Sequence, residues 1–78
     1  MNIIDFKTIL SNNNINLSDA ELRIANYRYN HLVKTSQIID NNFFDKLCIK
    51  NKCLVDIFIN SLVDNNTNKI NYIINSLI

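Results

Sequence analysis

The amino-acid sequence predicts an all-α fold, a small bundle of four to five short helices around a long central helix that starts near residue 19. Three observations predict it. Residues 17–22 read Leu-Ser-Asp-Ala-Glu-Leu, which is typical of a helix start. Apolar residues recur at intervals of three and four. The one segment with strand-like alternation has no evident hairpin partner to accept its hydrogen bonds. We expect a single helical domain over residues 1–78.

The first helix is predicted over residues 2–11. Asn2 can cap it with Asp5 at the third helical position, and Phe6 and Leu10 follow at helical spacing. A run of three asparagines then ends the helix, because asparagine side chains compete for backbone hydrogen bonds and tolerate left-handed conformations.

The central helix is predicted to begin at Asp19. Ser18 can accept a hydrogen bond from the backbone N–H of Glu21, whose carboxylate can accept from the N–H of Ser18. Leu17 and Leu22 flank this capping box, where their contact would fix the direction in which the chain enters the helix.

A mostly apolar stripe follows the central helix at a 3-4-3-4-3 spacing, formed by Leu22, Ala25, Tyr29, Leu32, Ser36 and Ile39. We interpret the stripe as the core-facing side of the helix, which is expected to continue to the polar residues 40–42. The alternative is a dimer seam in which a second copy contacts Leu22, Ala25, Tyr29, Leu32 and Ile39.

The third helix is predicted after Asn42, which can cap it together with Asp45. Its buried face is expected to comprise Phe43, Phe44, Leu47 and Cys48.

Residues 53–63 fit two structures. Val55, Ile57 and Ile59 alternate as in a strand, whereas Phe58 and Leu62 repeat at helical spacing. A lone strand would leave its backbone hydrogen bonds unmade, so we expect a helix. The strand stays open as the alternative.

The last helix is predicted from one clear amphipathic stripe, formed by Ile70, Ile73, Ile74, Leu77 and Ile78. At about ten residues it is too short to be stable alone in water, so it must dock on its own core or on a second subunit.

The composition excludes several classes of function. The chain has no glycine, so glycine-rich phosphate loops are impossible. Its net charge is only +1, which does not favour direct binding of nucleic acid, for which Arg23, Arg28 and Lys34 are the candidate contacts. Neither a secretory signal nor a membrane-spanning run is evident, so we expect a cytoplasmic protein without membrane contact.

No constellation of residues points to catalysis, a cofactor or a metal. Cys48, Cys53 and His31 are the only thiols and imidazole, and structural zinc sites need four ligands, usually in closely spaced pairs. We expect reduced cysteines at the core or its rim, a solvated histidine, and a protein that is not an enzyme and has no cofactor.

The stretch from Phe6 to Leu47 carries a family resemblance. The residues concerned are Phe6, Ile9, Leu10, Asn13, Leu17, Ser18, Asp19, Glu21, Leu22, Ile24, His31 and the run Asn-Asn-Phe-Phe-Asp-Lys-Leu at 41–47. This pattern resembles the Hha/YmoA haemolysin-expression modulators, small helical bacterial proteins that bind the nucleoid-structuring protein H-NS. The chain departs from the family in lacking its first helix and its C-terminal tryptophan, and in having Asn30 where the family has an acidic residue before the histidine.

The resemblance implies a protein partner. Acidic side chains of that family are thought to contact basic residues of H-NS, so the resemblance selects as partner-binding residues Asp19, Glu21, Asn30, His31 and Asp45. The expected function is a small non-enzymatic regulatory protein that binds an H-NS-like nucleoid protein and so modulates gene expression. The alternative is a small helical inhibitor or assembly subunit, of phage or mobile-element type, that docks on a larger complex or forms a homodimer.

Overall fold

Five α-helices and their connections make up the computed structural model, which describes residues 1–39 and 42–77. The helices are α1 (Ile3–Asn12), α2 (Asp19–Lys34), α3 (Phe43–Lys50), α4 (Cys53–Asp64) and α5 (Thr67–Asn75). The predicted all-α class is confirmed. The Cα radius of gyration is 11.3 Å, against about 11.5 Å expected for one domain of this length.

The predicted starts of α1 and α2 are confirmed by their hydrogen bonds. Asn2 Oδ1 accepts from the N–H of Asp5 at 2.8 Å. Ser18 Oγ accepts from the N–H of Glu21 at 3.2 Å, and Glu21 Oε1 accepts from the N–H of Ser18 at 3.0 Å. Asn42 directly precedes α3, but its side chain makes no capping hydrogen bond there, so that part of the prediction is wrong.

Three helices end in the same way although the chain has no glycine. Asn14, Ser36 and Asn65 follow α1, α2 and α4 with φ of 58°, 62° and 55°. At each end the left-handed residue donates its N–H to the carbonyl three residues back, and the next residue donates to the carbonyl five back. This is the Schellman arrangement, in which glycine is the usual left-handed residue.

The end of α2 lies earlier than predicted. The periodic stripe suggested a helix that continues to residues 40–42, whereas α2 ends at Lys34. Ser36 turns left-handed, and both Gln37 and Ile38 then donate their N–H groups to the carbonyl of Leu32. The backbone therefore reverses and buries Ile38, while Ile39 is 86% exposed. Residues 40 and 41 of the predicted helix end lie outside the described residues.

An aromatic cluster occupies the centre of the core. Its members come from four helices and are Phe6, Tyr29, Phe43, Phe44 and Phe58. The ring centroids of contacting pairs lie 4.9–6.4 Å apart in tilted or edge-to-face orientations, which are the favoured geometries for aromatic pairs. Burial raises the pKa of the Tyr29 phenol, which keeps the cluster uncharged over a wide pH range.

Residues 53–63 lie within helix α4, as expected, and the strand alternative is excluded. α4 packs against α2, α3 and α5, so it lies between the other helices. Val55, Phe58, Ile59 and Leu62 are buried, whereas Ile57 is 39% exposed. The strand-like alternation therefore arises because Ile57 lies at the edge of a wide buried face.

Helix α5 docks on the protein's own core, which was the first of the two predicted arrangements. Ile70, Ile73 and Ile74 are buried, and α5 packs against α4. Leu77 is half-buried, and Ile78 lies outside the described residues.

The predicted buried face of α3 is largely confirmed. Phe43, Phe44 and Leu47 are buried, whereas Cys48 is exposed, so the prediction is wrong for that residue.

We expect the replacement Ser36→Gly to stabilise the protein. Glycine removes the steric cost of a Cβ atom in the left-handed region, which is about 1 kcal/mol. It also gives the unfolded chain more conformational entropy, which offsets part of that gain. A net rise of about 0.5 kcal/mol in the free energy of unfolding is therefore expected. Ser36→Val should lower it by about 1–3 kcal/mol. Thr35→Gly is the control, because Thr35 has φ of −86° and should lose about 0.5–1 kcal/mol. Urea unfolding followed by circular dichroism measures all three, and a Ser36→Gly variant no more stable than wild type would contradict this account.

Truncation of Phe58 should be among the most damaging changes in the chain. Its ring is fully buried and lies 4.9 Å from Phe43 and 5.9 Å from Phe44, centroid to centroid. Phe58→Ala is expected to cost about 3–5 kcal/mol of unfolding free energy by loss of contacts and creation of a cavity. Tyr72→Ala is the control on a 73% exposed ring, with an expected change within about 0.5 kcal/mol. Similar denaturation midpoints for the two variants would refute the assignment of the core.

Candidate protein-binding surface

The residues that the resemblance selects do not form one cluster. On α2, Asp19 and Glu21 are two residues apart and so point about 160° away from each other around the helix. The five residues line different grooves or none: Asp19 lies beside α1, Asp45 lies beside the end of α1, and His31 lies in a groove next to α5.

Two of these residues already make intramolecular hydrogen bonds. The Glu21 carboxylate accepts from Ser18 in the capping box. Asn30 holds Met1 with two hydrogen bonds, accepting from its backbone nitrogen at 2.8 Å and donating to its carbonyl oxygen at 2.9 Å. Asp19, His31 and Asp45 are exposed. The accessible part of the predicted set is therefore these three side chains.

Four of the five residues of the alternative dimer seam are core residues. Leu22, Ala25, Tyr29 and Leu32 are buried among the protein's own helices, so in this arrangement they cannot contact a second copy. Ile39 differs from them because the chain turns before it, and its side chain is 86% exposed.

An open groove of about 510 Å³ lies between α2, the end of α4 and the start of α5. We call it the arginine groove. Its lining residues are Tyr27, Arg28, His31, Leu32, Gln37, Leu62, Asn65, Thr67, Ile70 and Asn71. The lining combines apolar side chains with amide, hydroxyl and cationic groups.

Arg28 connects the two long helices at this groove. Its Nη1 donates to the carbonyl oxygen of Leu62 at 2.5 Å and to that of Val63 at 2.8 Å. These carbonyls belong to the last turn of α4, where the helix dipole places partial negative charge. Both bonds start from Nη1, and the donors on Nε and Nη2 have no partner among the described residues.

A second, more apolar groove of about 240 Å³ adjoins the first along α5. We call it the apolar groove. Its lining residues are Gln37, Ile38, Ile39, Phe43, Lys46, Ile74 and Leu77. Gln37 belongs to both grooves, and α5 supplies residues to both at helical spacing. From Thr67 to Ile74, the two grooves therefore follow one side of α5 over about 10 Å at 1.5 Å per residue.

Sequence reasoning identified part of this surface. It selected His31 as a partner-binding residue and gave Arg28 as a candidate contact for nucleic acid. It did not identify Gln37, Asn65 or Asn71, since they join the groove only through contacts with distant parts of the chain. Nothing in the sequence around Asn65 indicates that this end of α4 lies beside Arg28.

The other chemical expectations concern cysteine, metal and membrane. Cys48 and Cys53 are both free thiols and both exposed, at the rim and not in the core. Within residues 1–39 and 42–77, no three His, Cys, Asp or Glu side chains are placed to hold a metal ion. No helix in those ranges is both long enough and apolar enough to cross a bilayer.

No protein-family model matches this chain, and neither does any curated protein or solved structure.

We expect Arg28 to contribute to stability as well as to line the groove. Arg28→Gln removes two charge-assisted hydrogen bonds to the end of α4 and should lower the unfolding free energy by about 1–2 kcal/mol, discounted for partial exposure. In a domain of this size that lowers the melting temperature by roughly 4–15 °C.

Arg23→Gln is the matched control, since it makes the same charge change on an exposed side chain of the same helix. Its melting temperature should stay close to that of the wild type. Calorimetry of the three proteins makes the comparison, and equal losses for Arg23 and Arg28 would show that only net charge matters.

Proposed function

We propose that this chain is a small non-enzymatic regulatory protein that acts by binding another protein. The observation that carries the proposal is the adjacency of the arginine groove and the apolar groove along α5, with Gln37 shared between them. An amphipathic helix binds grooves of this kind by placing apolar anchors in the apolar part and polar flanks against the polar part.

Ile39 supports the same proposal. It is a large apolar side chain at 86% exposure beside a groove that is itself lined mainly by apolar residues. Covering such a side chain contributes about 1.5–3 kcal/mol to binding. Ile39 is thus an exposed apolar side chain next to a groove, which distinguishes it from exposed apolar residues that lie on open helix faces.

The candidate partner is an H-NS-like nucleoid protein, and the resemblance to the Hha/YmoA modulators is what suggests it. In that case binding would modulate gene expression in the cytoplasm. The exposed carboxylates of Asp19 and Asp45 are accessible to basic residues of such a partner. Retention of this protein on an immobilised H-NS N-terminal domain at moderate salt tests the assignment. Absence of retention at tens of micromolar would remove H-NS from the proposal.

The variants Ile39→Ser and Ile49→Ser give a matched test of the surface. Both isoleucines are 86% exposed, but Ile39 lines the apolar groove and Ile49 lies on α3 and lines neither groove. Ile39→Ser should weaken partner binding about tenfold or more, equivalent to about 1.4 kcal/mol, and Ile49→Ser should leave it within about twofold. Calorimetric titration against the H-NS N-terminal domain measures both. Equal affinities for the two variants would place the interface elsewhere.

The second candidate is an inhibitor or assembly subunit that docks on a larger complex or forms a homodimer. The exposure of Ile39 beside the apolar groove favours it, because this surface could be covered by any helical partner, including a second copy. Light scattering after size exclusion distinguishes the homodimer. A dimer that is lost in Ile39→Ser and retained in Ile49→Ser supports it, and a monomer up to millimolar concentration excludes it.

A further inference from the structure

We propose that the arginine groove binds the carboxylates of an acidic, partly apolar segment of a partner protein. The inference rests on the proposed function and deepens it by naming the chemistry of the segment that is bound. Three observations support it: Arg28 has hydrogen-bond donors without partners among the described residues, no described lining residue of the groove is acidic, and the floor of the groove is apolar.

Arg28 is a half-buried cation without a carboxylate partner among the described residues. Buried charged groups are usually paired with an opposite charge, and here the guanidinium only donates to two neutral carbonyl oxygens on one side. The donors on Nε and Nη2 are adjacent in the guanidinium plane and match the two oxygens of a carboxylate. The bonds to α4 hold the group in place before any ligand arrives, which reduces the entropy lost on binding.

The rest of the groove has complementary charge and hydrogen-bonding groups. None of its described lining residues is an aspartate or a glutamate. Asn65 and Asn71 add amide donors, and His31 adds an imidazole; the Nε2 of Gln37 already donates to Thr35 Oγ1 at 3.1 Å and keeps one further N–H. A carboxylate that enters the groove therefore meets donors from α2, from the α4–α5 turn and from α5, and it meets no like charge from the lining residues.

The apolar residues of the groove favour a peptide over a nucleic acid. Leu32, Leu62 and Ile70 form the buried floor of the same cavity as Arg28, and the accessible apolar side chains lie beyond Gln37 in the apolar groove, at Ile39 and Leu77. A phosphate backbone gains little from such a surface and needs several clustered cations, whereas the whole chain carries a net charge of only +1. An amphipathic segment with leucine-like anchors and acidic flanks satisfies both parts of the surface.

The experiment titrates the intact protein, labelled with ¹⁵N, with a capped twelve-residue peptide of leucine, alanine and glutamate. Its control is the same peptide with glutamine in place of glutamate. The acidic peptide should bind about tenfold more tightly or better than the glutamine peptide. It should shift the Nε–H resonance of Arg28 and the side-chain amide resonances of Asn65 and Asn71. Because these shifts are read in the wild-type protein, the result does not depend on a variant that folds poorly.

Two variants of equal charge complete the test. Arg28→Gln should lose about tenfold or more in affinity for the acidic peptide, and Arg23→Gln should lose less than about twofold, since Arg23 is exposed on α2 and does not line this groove. His31→Gln keeps the Arg28 contacts and should lose an intermediate amount. Circular dichroism at the titration temperature confirms that each variant is folded.

Several results would overturn the inference. They are equal binding of the two peptides, no binding of either, shifts confined to residues outside the groove, or equal losses for Arg23 and Arg28. Binding of succinate as tight as that of the acidic peptide would assign the groove to small dicarboxylates. Displacement of the peptide by a DNA duplex, with a steep salt dependence, would assign it to nucleic acid. None of these results involves Ile39, so a failure here leaves the apolar-groove test of the proposed function standing.

Discussion

Both grooves depend on how the carboxyl end of α4 is completed where it meets α2. The last carbonyls of a helix have no partner within it, and they must find donors elsewhere when they are shielded from water. At this end, the carbonyl of Leu62 accepts from both Arg28 and the N–H of Asn65, and that of Val63 accepts from Arg28. These bonds fix the α4–α5 turn, and the turn fixes the direction in which α5 returns across the core. The position of α5 in turn creates both grooves.

The sequence predicted those features of the fold whose determinants lie close together along the chain. Ser18 and Glu21 are three residues apart, and their capping box was predicted correctly. The buried faces of α4 and α5 follow from spacings of three and four. The end of α2 was missed because the apolar stripe continues beyond Lys34, and nothing local shows that Ser36 adopts a positive φ. Glycine normally marks such positions, and a chain without glycine gives no such mark.

The candidate surface could be predicted only in part for the same physical reason. Arg28 and Leu62 are 34 residues apart, and no local pattern connects an arginine on one helix with the carbonyls of another. The sequence identified His31, but it grouped this residue with Glu21 and Asn30. In the structure the Glu21 carboxylate accepts from Ser18 in the capping box, and the Asn30 amide is hydrogen-bonded to Met1. The resemblance and the groove also suggest partners of opposite charge. Asp19 and Asp45 suit a basic partner, whereas Arg28 suits an acidic one, and a protein with near-zero net charge can present both on separate faces.

The three residues with positive φ all end a helix, but they differ in whether they also line a groove. A side chain in this conformation costs free energy that glycine would not, and asparagine reduces the cost because its short polar side chain can bond locally. At Asn14 and Ser36 the conformation ends a helix, and neither residue lines the arginine groove. Asn65 also lines the arginine groove, where its amide is one of the donors available to a carboxylate. Glycine there would preserve the turn and remove that donor. Under the proposed carboxylate binding, Asn65 differs from the other two residues in having a role besides ending its helix.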